Sequence, residues 1–120
     1  MVHSDIKVVA LTFDDSPDPA FTEAILDILK QKQVKATFFV IGAKASQNPL
    51  ILRRMVTEGH EIGNHGYTHN YGIREMTGEL RQTDQSVYSV TDTHTHTHFY
   101  RPPGGFVTKS QINRLRNKVM

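Results

Sequence analysis

Two adjacent carboxylates, Asp14 and Asp15, directly follow a short apolar run at residues 8–11. That run, continued through Phe13, is typical of a buried parallel strand. Charged side chains at the end of a buried strand are costly unless a cation, an arginine or a chemical role uses them. The alternative, a cap or turn pair for the next helix, is weaker because Asp18 and Thr22 already offer caps. We therefore expect the two aspartates to belong to a functional site.

Strand-like and helix-like patterns alternate along the chain. Predicted strands cover residues 8–13, 36–41, 61–64 and 99–100, and predicted helices cover 21–33, 48–59 and segments capped by Thr77 and Thr108. Asn48 is the predicted cap of the second helix. This alternation predicts an α/β fold with a mostly parallel sheet. Because active sites of parallel barrels lie at the carboxyl ends of the strands, polar groups there should converge.

Composition excludes several functional classes. The chain has 120 residues, enough for one domain, and its net charge of +2 is spread without a basic stripe, so no nucleic-acid partner is expected. There is no cysteine, so any metal must be bound by His, Asp or Glu. No apolar run approaches transmembrane length, and no signal-peptide pattern precedes the first predicted strand.

The histidines His65 and His69 are the best candidates for metal ligands. Their four-residue spacing brings both rings to one side of a helical turn or compact loop. One of the two aspartates would complete a His-His-Asp set with open positions, which suits Zn and also Co, Ni, Mn or Fe. The other carboxylate could then act as a general base. Two unrelated surface histidines are the alternative, and the residues alone leave open which aspartate has which role.

Arg101 is followed by two prolines and two glycines. A rigid backbone would fix its guanidinium, whose planar fork matches a carboxylate, so Arg101 could orient the general base. The N–H of Gly104 could serve as an oxyanion donor. A surface arginine before a turn is the alternative interpretation.

The segments TFDDSP, GNHGYTH and RPPGG, in this order and spacing, resemble the polysaccharide deacetylase family (the NodB-homology domain, carbohydrate esterase family 4). The resemblance runs from about residue 8 to the end of the chain. It implies a distorted (β/α) barrel and metal-dependent removal of acetyl groups from N-acetylglucosamine in chitin, peptidoglycan or related glycans. It also implies an extracellular or cell-wall location.

The resemblance assigns roles by motif position. It implies that Asp14 is the catalytic base and that Arg101 holds it. It implies a divalent metal ion, first of all Zn, bound by Asp15, His65 and His69. It further implies a substrate groove walled by Pro102, Pro103 and Gly104.

Three positions depart from the family pattern. Ser16 stands where Gly is usual, which would strain the turn if its φ is positive. Gly66 stands where Ser or Thr is usual, so a hydroxyl that fixes the loop is missing. Gly104 replaces a usual aromatic residue, which removes a packing surface for substrate.

The largest departure is length. The family's Asp-Trp-type motif and its Leu-x-His motif, which carries the general acid, have no counterpart in these 120 residues. We therefore expect residues 1–120 to form one C-terminally short domain, an incomplete barrel whose uncovered sheet edge favours a homo-oligomer. The alternative function is a catalytically impaired, metal-binding carbohydrate module. A weaker third option is deacetylation of a small acetylated amine.

The remaining histidines have plainer interpretations. His94, His96 and His98 alternate with threonine, which predicts a polar connector, although they could bind metal or replace the missing acid. His60, just past a predicted helix end, is expected to be solvated or to cap that helix.

Overall fold

The computed structural model describes residues 9–69, 76–91, 97–105, 109–110 and 112–113. Strands and helices alternate over most of this range, as predicted. The elements are β1 (Thr12–Ser16), α1 (Thr22–Lys32), β2 (Thr37–Val40), α2 (Gly42–Gln47), α3 (Pro49–Thr57), β3 (Glu61–Asn64), α4 (Met76–Thr91) and a short 3₁₀ turn (Pro103–Gly105).

The three strands form a parallel sheet in the order β1–β2–β3. Phe13 pairs with Phe38, and Phe39 pairs with Gly63. Beyond β3, Tyr100 makes a single parallel bridge to Asn64, so the strand predicted at residues 99–100 is reduced to one bridge. Because all the pairings are parallel, the carboxyl ends of the strands lie along one edge, and the predicted convergence of their polar residues follows.

The core lies between the sheet and the helices. Phe38 is completely buried, and its ring stacks on that of Phe13 with centroids 5.3 Å apart. The apolar side chains of α1 and α3 cover this face of the sheet, which is why both helices show apolar residues at helical spacing. The fully buried apolar members are Leu26, Phe38, Val40, Ala45, Leu52 and Met55.

The first strand starts later than predicted. Val9 and Leu11 are exposed, and pairing with β2 begins only at Thr12. The same shift places Asp14 and Asp15 inside β1 and not in the loop after it. The hydrophobic pattern identified the apolar run, but the strand begins only where its backbone pairs with β2.

Helix boundaries also differ from the sequence expectation. Gly42, the first residue after the second predicted strand, begins α2, a helix that was not predicted. Asn48 does not cap α3 with its side chain, because its Nδ2 donates to the carbonyl of Lys44 instead. Thr77 lies inside α4 and is therefore not its cap. Thr108 lies outside the described residues.

The expectation that His60 is solvated or caps a helix is wrong. Its side chain is buried, and its Nδ1 accepts a hydrogen bond from the backbone N–H of Ala36 at 3.0 Å. The ring also meets Phe38 edge-on, with centroids 5.4 Å apart. His60 is therefore part of the core, at the end of the sheet opposite the aspartates.

Candidate metal and catalytic site

A bulge in β1 brings the two carboxylates to one site. Asp14 pairs with Phe39 and Ser16 with Val40, so Asp15 is the extra residue of the strand. Consecutive side chains of a regular strand point to opposite faces, and a bulge re-aims one of them. Asp15 has φ 67°, a left-handed conformation that Asp tolerates better than most residues. Asp14 and Asp15 can therefore both serve the same end of the sheet.

The condition for strain at Ser16, a positive φ, is not met there, and the left-handed residue is its neighbour Asp15. Among the described residues other than glycine, positive φ values occur at Asp15, Gln33 and His69, and not at Ser16. Ser16 is instead buried, and its hydroxyl has no hydrogen-bond partner within the described part of the chain. The departure from Gly at this position leaves a buried polar atom and not a strained backbone.

Asp15, His65 and His69 form one compact cluster. The Nε2 atoms of His65 and His69 lie 3.2 Å and 3.3 Å from Oδ1 of Asp15. One donor atom of each residue lies within 4.8 Å of the other two, and the imidazole rings are 4.9 Å apart. His65 is buried, His69 is half-buried and Asp15 is exposed, so the cluster opens to solvent on one side.

The backbone sets the tautomer of His65. Its Nδ1 lies 2.6 Å from the carbonyl oxygen of Arg101, which can only accept a hydrogen bond. Nδ1 therefore carries the proton, and in the neutral ring the Nε2 lone pair faces the carboxylate of Asp15. An outer hydrogen bond from Nδ1 to a carbonyl is the usual support of a metal-ligating histidine.

This donor set fits a metal ion. Lone pairs of Asp15 Oδ1 and His65 Nε2 face each other at 3.2 Å, and such an approach needs a cation or a proton between the two atoms. Two imidazole nitrogens and one carboxylate oxygen, with one open side, suit a divalent transition metal that also binds water or substrate. The identity of the ligands stays a prediction from the motif, which this geometry supports.

Arg101 reaches the other carboxylate. Its Nη1 donates to Oδ1 of Asp14 at 2.5 Å and lies 3.4 Å from the hydroxyl of Thr12. Its Cζ lies 4.1 Å from the ring centroid of Phe39, a cation–π contact. Arg101 thus contacts Asp14 through its side chain and His65 through its carbonyl. The roles of base and base-holder stay predictions.

The Pro-Pro-Gly segment borders the histidine loop. Pro103 is buried, and a Cβ built on Gly66 would lie 3.3 Å from its Cγ. Gly104 is exposed and has φ 67°, a conformation that glycine adopts without strain. Pro102, Pro103 and Gly104 are therefore next to the site, and their role as a groove wall stays a prediction.

Tyr100 and the histidines near the end of the chain are further candidates for acid–base catalysis. Burial raises the pKa of the Tyr100 phenol to about 12, and the charge of Glu79 adds to the rise. Tyr100 therefore keeps its proton at neutral pH and is excluded as a general base. His98 is exposed and pairs with Glu61 at 3.3 Å, while His94 and His96 lie outside the described residues.

Three supporting residues were missed by sequence reasoning. Phe39 and Glu79 showed only apolar or helical patterning, and nothing in the sequence tied them to the site. Asn64 lies in the GNHGYTH segment, but its role was not predicted. It is completely buried, donates to Leu80 and Asp84, and accepts from the N–H of Gly66.

Comparison with known proteins identifies the family. The family model described as polysaccharide deacetylase matches residues 2–119. The chain belongs to the polysaccharide deacetylase family. Members of this family use a divalent metal, and the Asp15–His65–His69 cluster is a suitable site among the described residues.

Curated relatives of this chain include two classes of enzyme. A peptidoglycan-N-acetylglucosamine deacetylase of Bacillus cereus is 36% identical over 107 residues, covering 88% of this chain and 50% of the relative. A chitooligosaccharide deacetylase of Sinorhizobium fredii is 40% identical over 100 residues, covering 80% and 46%. The chain thus spans about half the length of these two relatives.

A solved structure shares the fold. The peptidoglycan deacetylase PdaC from Bacillus subtilis superposes with a TM-score of 0.86 at 34% identity, covering 96% of this chain and 58% of that one. The family fold is a (β/α) barrel, and the parallel strands and helices described here form part of such a barrel, which confirms the predicted fold class. No helix in the described ranges is long and apolar enough to cross a membrane.

Proposed function

We propose that this member of the polysaccharide deacetylase family hydrolyses the N-acetyl amide of N-acetylglucosamine residues in peptidoglycan or chitin-type oligosaccharides. The observation that carries the proposal is that a cluster of potential metal ligands and an arginine-held carboxylate lie next to each other at one edge of the sheet. Asp15, His65 and His69 form a metal-binding cluster, and Asp14 lies beside it on the same strand, held by Arg101. The names of the relatives, which act on peptidoglycan or chitooligosaccharides, support the substrate class.

The metal would be held by Asp15, His65 and His69. Zn is the first candidate because two imidazole nitrogens and a carboxylate oxygen are common zinc ligands in catalytic sites, and Co, Ni, Mn and Fe accept the same donors. The chemistry that such an ion supplies is Lewis-acid activation of an amide carbonyl and of water.

Asp14 is the proposed general base. Its carboxylate would accept a proton from the water molecule that attacks the amide carbon. Arg101 donates to Oδ1 of Asp14 at 2.5 Å and so fixes the direction in which the carboxylate faces. A fixed base avoids the entropic cost of finding its orientation in each catalytic cycle.

The Pro-Pro-Gly segment is the proposed wall of the substrate groove. Pro102 would pack against the sugar with the buried Pro103 behind it, and the exposed Gly104 would offer its N–H to the developing oxyanion. Its left-handed conformation and lack of a side chain allow a substrate to approach the backbone closely.

Binding without turnover is the second candidate function. The other described histidines are engaged elsewhere, His60 with Ala36 and His98 with Glu61. Neither of these two described histidines is therefore placed to protonate the leaving amine. A metal-binding carbohydrate module would keep the Asp15 cluster and the groove wall but would release no acetate.

Location and assembly complete the proposal. We place the protein outside the cell or at the cell wall, because peptidoglycan is the substrate named for several relatives. We also propose self-association through β1, which in the described sheet is paired on one side only and is preceded by the exposed Val9 and Leu11. Mass measurement of the native assembly tests this part of the proposal.

Acetate release decides between the two functions. The whole chain, loaded with Zn²⁺ or Co²⁺, is incubated with chitin oligomers, peptidoglycan fragments and a small acetylated amine, and free acetate is measured. We expect release from at least one glycan and none after chelation of the metal. Absence of release despite bound metal and bound glycan would favour the binding module, and release from the small amine alone would favour the third option.

A further inference from the structure

The carboxylate of Glu79 holds the loop between the two histidines. Its Oε1 accepts hydrogen bonds from the backbone N–H groups of Tyr67 and Thr68, each at 2.9 Å. Its Oε2 accepts from the hydroxyl of Thr68 at 2.6 Å. Glu79 lies in the first turn of α4, so its position is set by a helix and not by the loop that it contacts.

This loop has an unusual backbone that needs external support. Gly66 has φ 84° and His69 has φ 60°, so left-handed residues occur at both ends of a turn that forms no helix or strand. For His69, such a conformation costs on the order of 1 kcal/mol or more. A strained segment persists only when its surroundings determine it, and here His69 must be held beside Asp15.

Hydrogen bonds from two helices account for the turn. The carbonyls of Gly66 and Tyr67 accept from the N–H groups of Gly42 and Ala43 at the start of α2. The N–H groups of Tyr67 and Thr68 donate to Glu79. The carbonyl groups of the loop are therefore hydrogen-bonded to α2, and its N–H groups are hydrogen-bonded to the carboxylate of Glu79.

We propose that Glu79 is a positioning residue that fixes His69 at the spacing needed for the metal cluster. Its carboxylate fixes the loop in place of the hydroxyl that is missing at Gly66. Gly66 is packed directly against Glu79, because a Cβ there would lie in contact with Oε1 of Glu79 at 3.4 Å and close to Cγ of Pro103 at 3.3 Å. The proposal rests on the proposed metal site and goes beyond it by assigning a residue that the motifs do not contain.

A purely structural role for Glu79 makes different predictions. An acidic residue in the first turn of a helix stabilises that helix through its dipole wherever the side chain points. Loss of such a contribution would lower the stability of the protein but would leave the affinity of the folded state for metal unchanged. Metal affinity and local exchange at the loop therefore separate the two roles.

The test compares Glu79→Ala, Glu79→Gln and the control Gln85→Ala, which changes an exposed residue of the same helix. In metal-free protein, hydrogen exchange is measured at the amides of Tyr67 and Thr68. Affinity for Zn²⁺ alone is measured by competition with a chelator, at a temperature where every variant is folded.

We expect Glu79→Ala to lose exchange protection at both amides and to bind Zn²⁺ about 10-fold more weakly. This is the lower end of the roughly 10- to 100-fold effect of removing a direct outer partner of a metal ligand, because Glu79 acts on His69 only through the loop backbone. Glu79→Gln should stay close to wild type, because the amide oxygen still accepts both backbone bonds and the amide nitrogen can donate to Thr68. Gln85→Ala should match wild type in both measurements.

Two results would overturn the proposal. One is unchanged exchange and Zn²⁺ affinity in Glu79→Ala. The other is a Glu79→Gln variant as weak as Glu79→Ala, since charge and not loop geometry would then matter. If wild type itself bound no Zn²⁺, the proposed function would fail, and loss of protection in Glu79→Ala would still establish that Glu79 fixes the loop.

Discussion

The guanidinium of Arg101 lies 4.1 Å over the ring of Phe39 while it donates to Asp14. Phe39 is buried in β2 and pairs with Gly63 of β3. The ring has room there only because Gly63 has no side chain, since a Cβ would lie 2.5 Å from Cδ1 of Phe39. The position of the proposed base therefore depends on a chain of contacts from Gly63 through Phe39 to Arg101.

Replacing Phe39 with Leu should lower the activity of the protein by more than its loss of stability can explain. Loss of a cation–π contact of about 0.5–1 kcal/mol corresponds to an approximately two- to five-fold lower kcat/KM for acetate release. Phe38→Leu is the matched control, because Phe38 is buried in the same strand but packs in the core away from Arg101. Both variants should lose on the order of 1–2 kcal/mol of unfolding free energy. Equal kcat/KM in the two folded variants would contradict this role of Phe39.

Gly63→Ala should destabilise the protein. The new methyl group would overlap the Phe39 ring at 2.5 Å, and overpacking of this kind costs about 1–3 kcal/mol. Urea unfolding measures the loss. Gly78→Ala, at an exposed position of α4, is the control and should raise stability by about 0.5–1 kcal/mol. A Gly63→Ala variant as stable as wild type would show that the ring moves freely, contrary to the proposed contact chain.

Acid should destabilise the protein through His60. Burial lowers the pKa of His60 from its ordinary value of 6.5, and the charge of Lys35 adds to the shift. The unfolded state therefore binds a proton at a higher pH than the folded state. This contribution to stability is complete above pH 6.5 and is lost as pH falls from there through the lower folded pKa.

His60→Asn isolates this contribution. The Asn oxygen can replace Nδ1 as the acceptor for the N–H of Ala36, but it does not titrate. We expect the unfolding free energy of wild type to fall more steeply than that of the variant between about pH 7 and pH 5, measured by urea unfolding of metal-free protein. Parallel curves would contradict the assignment of His60 as a buried neutral imidazole.

The sequence predicted which polar residues meet at the sheet edge better than it predicted the backbone that brings them there. Aspartates, histidines and an arginine at strand ends converge in any parallel sheet, so their meeting followed from the alternation of elements alone. The bulge at Asp15 could not be predicted, because it depends on how β1 and β2 align and not on a local signal. For the same reason the sequence left open whether the φ of Ser16 is positive, and the left-handed residue is its neighbour Asp15.

The contacts of Glu79 and Phe39 that support the site could not be predicted from the sequence for a different reason. Glu79 is separated from Tyr67 by 12 residues, and an acidic residue early in a helix has an ordinary explanation as a partner of the helix dipole. Phe39 was counted as core because an apolar strand residue usually is. Only three-dimensional packing shows that its ring also supports Arg101.

Metal stoichiometry in three proteins tests the central claim most directly. Wild type, Asp14→Asn and Asp15→Asn are each titrated with Zn²⁺, and bound metal per chain is measured. We predict about one ion per chain in wild type and Asp14→Asn, and binding weakened at least about 10-fold in Asp15→Asn, which loses a charged ligand. Loss of metal in Asp14→Asn with full binding in Asp15→Asn would reverse the two roles, and no binding in wild type would contradict the metal site altogether.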